Sequence, residues 1–210
     1  MPVPWTLKPP KIDGSIAEAE WKQALPQVLG ESSGGEAKIS TSVRMMYDDE
    51  NLYVAYECQE PEMGELKVER LARDAGTWNL DCVEFLFDIE NSFQKYMHFM
   101  AAPAKGAFYD ARAGYVTDIL DPMFGTEDIS WNPDWDYGFE INKDKKMWSV
   151  EMVIPFKSLG METPGPGTSW RVNFGRERYA GSGGLFLWSP SEGGGFCDPM
   201  AFGQIYFMKK

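Results

Sequence analysis

Between Met147 and Pro155 the chain alternates: Trp148, Val150, Met152 and Ile154 fall on one side, Ser149, Glu151 and Val153 on the other. A period of two marks a half-buried β-strand, because successive side chains point to opposite faces. A matching run at 137–142, joined to it by Asn142-Lys143-Asp144-Lys145-Lys146, predicts a hairpin. Pro155 ends the pairing, having no N–H to donate. Similar segments predict strands at 38–47 and 51–59 around the tight turn Asp48-Asp49-Glu50-Asn51. Others are expected at 81–89 and 95–102 with Asn91-Ser92 between them, and at 106–113, 168–178, 185–188 and 203–208.

Near the start, Ile12-Asp13-Gly14 reads as a turn. Ser15-Ile16-Ala17-Glu18 then fits a capping box opening a short helix that buries Trp21. Residues 30–36 and 193–195 are glycine-rich loops, and 60–80 reads as a charged loop with a short helical turn. The stretch 114–136 mixes Asp118, Asp121, Asp128, Asp134 and Asp136 with aromatics and proline, without periodicity, and reads as a long loop closing over the fold. Many short strands divided by turns, with no internal repeat, predict one all-β domain over residues 1–210. The expected fold is an antiparallel β-sandwich of about ten strands with a short N-terminal helix.

Composition adds a surplus of aromatics: 8 Trp, 9 Tyr and 13 Phe in 210 residues. They serve either to fill a sandwich core or to stack flat ligands. A net charge of −12 argues against nucleic acid and anionic membranes, which require a basic patch. No run is long and apolar enough for membrane insertion, and Met1-Pro2-Val3-Pro4 carries no secretion pattern. Cys58, Cys82 and Cys197 lack metal-type spacing; Cys58 and Cys82 lie in predicted strands and either pair or stay as buried thiols. No nucleophile elbow is present, and no carboxylate pair stands out as a glycosidase pair, so no enzyme is expected.

Five pieces in order carry a resemblance: Ile12-Asp13-Gly14 with Glu20-Trp21; Asp49-Glu50-Asn51-Leu52-Tyr53-Val54-Ala55; Asp81-Cys82-Val83-Glu84-Phe85; Val150-Glu151-Met152-Val153-Ile154-Pro155-Phe156; and Phe202-Gly203. Together they resemble family 9 carbohydrate-binding modules, sandwiches related to DOMON-type domains, from Ile12 to Phe207. The resemblance implies non-catalytic carbohydrate binding, with a sugar ring between two tryptophans and charged groups on its hydroxyls. Trp78, six residues before Glu84, resembles the first tryptophan with its acidic partner. Asn173-Phe174-Gly175-Arg176 resembles the strand that supplies an arginine, and Trp188 in Leu187-Trp188-Ser189-Pro190 resembles the second tryptophan. The expected carbohydrate-binding residues are therefore Trp78, Glu84, Arg176 and Trp188. The chain departs from the pattern in a longer 61–77 connection and in Leu185-Phe186, where a polar helper is expected. The resemblance also implies a mono-, oligo- or polysaccharide partner, an extracellular or periplasmic location, and an associated glycosidase domain in longer relatives. Finally, it implies a structural calcium with Glu60 as a carboxylate ligand.

The chemistry also follows from the residues. A pyranose has C–H groups on its faces and hydroxyls on its rim, so indoles cover the faces while Glu and Arg bond the rim. Such charged hydrogen bonds contribute about 1.5–3 kcal/mol each. Glu84 alternates with Val83 and Phe85 and points off the core. Arg176 shares the parity of Trp170, Val172 and Phe174, which aims it inward unless Gly175 makes a bulge. Arg171 or Arg178 paired with a strand carboxylate is the other reading of this basic cluster. Trp5, Trp21, Trp148 and Trp170 are expected in the core. His98, the only histidine, alternates with Tyr96 and Met100 and is expected to be hydrogen-bonded or exposed, with no haem bound. The alternatives are a DOMON-like haem b electron-transfer domain using His98 and a methionine as axial ligands, or a structural or adhesion module without a ligand.

Overall fold

The alternating segments pair into two sheets packed face to face. The computed structural model describes residues 1–16, 19–122 and 124–209. Its early strands are β1 (Pro2–Val3), β2 (Gln27–Val28), β3 (Gly30–Glu31), β4 (Thr41–Tyr47) and β5 (Asn51–Gln59). The middle of the chain gives β6 (Cys82–Asp88), β7 (Tyr96–Ala101), β8 (Phe108–Ala113) and the short β9 (Glu127–Asp128). Then come β10 (Asp136–Asn142), β11 (Met147–Pro155), β12 (Ser169–Arg178), β13 (Gly184–Leu187) and β14 (Gly203–Phe207).

A five-stranded sheet runs β10-β11-β5-β4-β2, and a nine-stranded sheet runs β1-β14-β12-β6-β7-β8-β9. β13 pairs with the C-terminal half of β12 and carries β3 on its far side. The predicted all-β sandwich is therefore the fold observed, antiparallel except where β1 runs parallel to β14. The N-terminal helix is a 3-10 stretch, Ala19–Gln23. Its expected capping box reaches Ala17 and Glu18, which lie outside the described residues.

Two features explain why the N-terminal segment lies where it does. Trp21 is buried and donates from Nε1 to Glu151 Oε1 at 2.6 Å, while Glu151 Oε2 accepts from the backbone N–H groups of Asp13 and Gly14. Gly14 has φ 93°, and a Cβ there would lie 2.1 Å from the Phe139 carbonyl carbon, so only glycine fits.

The core lies between the sheets. Leu52, Val54 and Tyr56 on β5 and Trp148, Val150, Met152 and Ile154 on β11 meet Val83, Phe85, Phe87, Trp170, Val172 and Phe174 from the opposite sheet. Phe85 stacks on Phe174 with ring centres 5.4 Å apart, and Phe87 stacks on Trp170 at 5.7 Å. Each such ring contributes roughly 1.5–3 kcal/mol on burial. Cys58 sits in this core while Cys82 belongs to a separate cluster on the other face of the nine-stranded sheet, so both are free thiols. The segment 114–136 is pinned rather than loose at its end: Trp135 is buried against Phe99 and donates to Asp110 Oδ2 at 3.0 Å. No helix among the described residues is long and apolar enough to cross a membrane.

Candidate functional site

Alternation on β6 sends Val83, Phe85 and Phe87 into the core and Cys82, Glu84 and Leu86 to the outer face. Glu84 lies opposite Gly175 on β12 and Met100 on β7; Met100 in turn lies opposite Tyr109 on β8. His98, two residues before Met100, shares that face. Trp78, from the 3-10 turn Thr77–Asn79, and Leu185 from β13 rise beside this surface. The loop following β13 folds back over it and is held by Phe196, which is buried with Leu86, Tyr96, Leu187 and Phe202. Gly175 makes room for that ring, since a Cβ there would be 3.1 Å from Phe196 Cε2. Between these walls is a cleft of about 590 Å³, within the roughly 300–1,000 Å³ typical of small-ligand sites.

The polar part of the cleft is a chain of charged hydrogen bonds. His98 Nε2 lies 2.9 Å from Glu84 Oε2, and His98 Nδ1 lies 2.9 Å from Glu127 Oε1. Tyr109 donates to Glu127 Oε2 at 2.5 Å, and Cys197 Sγ stands 3.7 Å from Glu127 Oε1. With a carboxylate on each ring nitrogen, His98 is held as an imidazolium. Burial works to lower its pKa, but hydrogen bonds to Cys197, Glu127 and Glu84 outweigh burial and raise it well above the usual value. Burial likewise works to raise Glu127, yet His98 and Tyr109 bring it down to about 2. Glu177 goes the other way: burial first, then the neighbouring Glu84 charge, push it up to about 8. Glu84 Oε1 is buried without a donor that is protonated at every pH, so near neutrality the proton of Glu177 serves it.

Of the four residues expected to hold a sugar, Trp78 and Glu84 line this cleft, and Arg176 and Trp188 are not among its lining residues. Trp78 is 44% exposed and meets Tyr109 edge-on at 5.5 Å, whereas Glu84 is 2% exposed. The bulge at Gly175 that an outward Arg176 would need does not form: pairing runs unbroken from Gly175–Glu84 to Arg176–Val83, so parity turns Arg176 into the core. There it is 0% exposed, bonded to Thr41, to the Gln59 carbonyl and to Glu60, with its guanidinium over the Trp148 ring. Trp188 is half-buried, packed edge-on against Phe174 at 5.6 Å and over Gly203. Two facing tryptophans therefore do not form the cleft.

Glu60 also has a different role from the calcium ligand expected of it. Both its oxygens are taken, by Arg178 at 2.7 Å each and by Arg176 at 3.0 Å, and Oε1 also accepts the Glu62 N–H. Two guanidinium groups supply the positive charge that an ion would bring. This is the arginine–carboxylate pairing read as the other account of the basic cluster. For haem, the lining offers Met100, which stands beside His98 on the same strand and so cannot face it across a porphyrin.

Sequence reasoning missed Glu127, Glu177, Tyr109 and Cys197 as cleft residues. The parity of β12 and β8 could have found Glu177 and Tyr109. Glu127 and Cys197 arrive on aperiodic segments whose course depends on packing far along the chain.

Comparison with known proteins agrees with this architecture. A carbohydrate-binding candidate from Bacteroides uniformis superposes with a TM-score of 0.76 at 16% identity, covering 99% of this chain and 98% of its own. A family 9 carbohydrate-binding module from Caldicellulosiruptor kristjanssonii, solved with glucose, gives 0.67 at 16% identity over 100% and 97% of the two chains. The same kind of module solved with cellotriose gives 0.68 at 16% over 100% and 95%. At that identity these likenesses speak for the fold. A search of curated proteins gave no match. Residues 12–210 match the profile described as carbohydrate family 9 binding domain-like, and the chain belongs to that family of non-catalytic carbohydrate-binding domains.

Proposed function

We propose that the cleft binds one end or one unit of a neutral saccharide, with a pyranose face on Trp78 and its hydroxyls on the carboxylates of Glu84 and Glu127, which His98 holds in place. The observation that carries this reading is the half-exposed indole of Trp78 standing beside a row of buried, charged hydrogen-bonding groups. An apolar platform next to a polar rim is the complement of a sugar ring. Tyr109 steadies the platform edge-on, and Leu185 and Phe196 supply further apolar lining. The related modules solved with glucose and cellotriose support a β-glucan-type ligand.

The sign of the cleft narrows the choice. Its lining carries Glu84, Glu127, Glu177, Glu192 and Asp198 but, among the described residues, neither lysine nor arginine. Like charges repel in a site of reduced dielectric, so uronates and sulfated glycans are disfavoured against neutral sugars. Titration calorimetry with glucose, cello-oligosaccharides and galacturonate tests this. Neutral sugars should bind with the acidic sugar at least about tenfold weaker; no heat from any member of a broad glycan panel would overturn the reading. Family membership also favours work outside the cell, beside polysaccharide.

A further inference from the structure

We propose that His98, Glu127 and Cys197 form a three-ligand zinc site in the wall of the cleft, with the fourth position open. The three offer an imidazole nitrogen, a carboxylate oxygen and a thiol sulfur, all within 4.8 Å of one another. Tetrahedral zinc with bonds of about 2.0–2.3 Å sets its ligand atoms roughly 3.3–3.8 Å apart. Of the separations from Glu127 Oε1, the 3.7 Å to Cys197 Sγ lies within that range and the 2.9 Å to His98 Nδ1 lies a few tenths of an ångström below it. Small side-chain rotations therefore admit an ion. A mixed sulfur, nitrogen and oxygen set suits zinc, whereas calcium and magnesium take oxygen ligands.

The surroundings fit a metal as well as the ligands do. His98 Nε2 is bonded at 2.9 Å to Glu84, a buried carboxylate, which fixes the ring and presents Nδ1 to Glu127 and Cys197. Metal-bound histidines are typically held by a carboxylate in this way. Tyr109 engages Oε2 of Glu127 and leaves Oε1 toward the ion. His98 on β7 and Glu127 on β9 sit on strands that both pair with β8, and the buried Phe196 immediately precedes Cys197, so the three positions are set by packing. Zinc replaces the proton on His98 Nδ1 and the thiol proton of Cys197, and both pass to solvent. Its open position then faces the cleft, where a ligand oxygen or water completes the tetrahedron.

The test uses the reduced full chain without any sugar, so its outcome is separate from the sugar reading. Titration with zinc chloride against a chromogenic chelator should show one ion per chain. Cobalt(II) should give thiolate charge-transfer absorption. Cys197→Ser and His98→Gln should each weaken zinc by on the order of 100-fold, and Tyr109→Phe by about tenfold. Cys197 is the exposed thiol, while Cys58 and Cys82 are buried, so iodoacetamide labels it in the folded wild type. Zinc should slow that labelling at least about tenfold, a readout that needs no variant. Absorption that persists in Cys197→Ser, or labelling that zinc leaves unchanged, would overturn the proposal.

Discussion

A Cβ on Gly203 would lie 2.3 Å from Cζ3 of Trp188, so the bare backbone of Gly203 is the seat of that indole. Gly203→Ala should drive the ring off its place beside Phe174 and destabilise the chain by about 1–3 kcal/mol. Sugar affinity should stay within about twofold, because Trp188 does not line the cleft. Urea unfolding and calorimetry on the same preparation check both halves.

The two tryptophans expected to act together should separate by mutation. Trp78→Ala should weaken sugar binding by at least about tenfold, with a stability change near 0.5 kcal/mol, since the ring is largely a surface feature. Trp188→Ala should do the reverse, costing about 3 kcal/mol in stability and leaving the affinity unchanged. Equal affinity in Trp78→Ala and the wild type would remove Trp78 from the site.

Glu60 is the carboxylate paired with two buried guanidinium groups, so Glu60→Gln should leave Arg176 and Arg178 without that compensating charge. The expected loss is about 3–5 kcal/mol, read from chemical denaturation. An effect below 1 kcal/mol would show that water reaches this cluster.

Glu177 should make stability fall with pH. Its folded pKa of about 8 stands above the unfolded value of 4.5, so between those limits the unfolded chain holds fewer protons and gains as pH rises. Glu84, Tyr179, His98 and the buried thiol of Cys82 are titratable groups around it. Glu177→Gln keeps a donor for Glu84 and removes the penalty. The variant should match wild type near pH 4.5 and exceed it by on the order of 1–2 kcal/mol at pH 8, allowing for solvent screening. Parallel thermal-melting curves across that range would contradict the assignment.

The strands were legible because alternation is a local signal: β5 spans Asn51–Gln59 and β11 spans Met147–Pro155, close to the segments the pattern marks. Glu84 was legible for the same reason, and the parity of Trp170, Val172 and Phe174 correctly aims Arg176 inward. What misplaced Arg176 was the resemblance of Asn173-Phe174-Gly175-Arg176 to an arginine-supplying strand, which needed a break at Gly175, where glycine instead yields space to Phe196. Trp188 adjoins a strand end, where periodicity no longer distinguishes packing from exposure. Glu127 and Cys197 meet His98 only through pairings 29 and 99 positions apart in sequence, and no local rule encodes them.

On β6, residues that build the interior alternate one for one with residues of the outer face, where Glu84 lines the cleft. Phe85 can keep its stack with Phe174 whatever stands at position 84, and the same holds along β7 and β12. Ligand preference and architecture are thus written in different letters of the same strands. One set can be redesigned, for a sugar of another shape or for an ion, while the other keeps the sheets together.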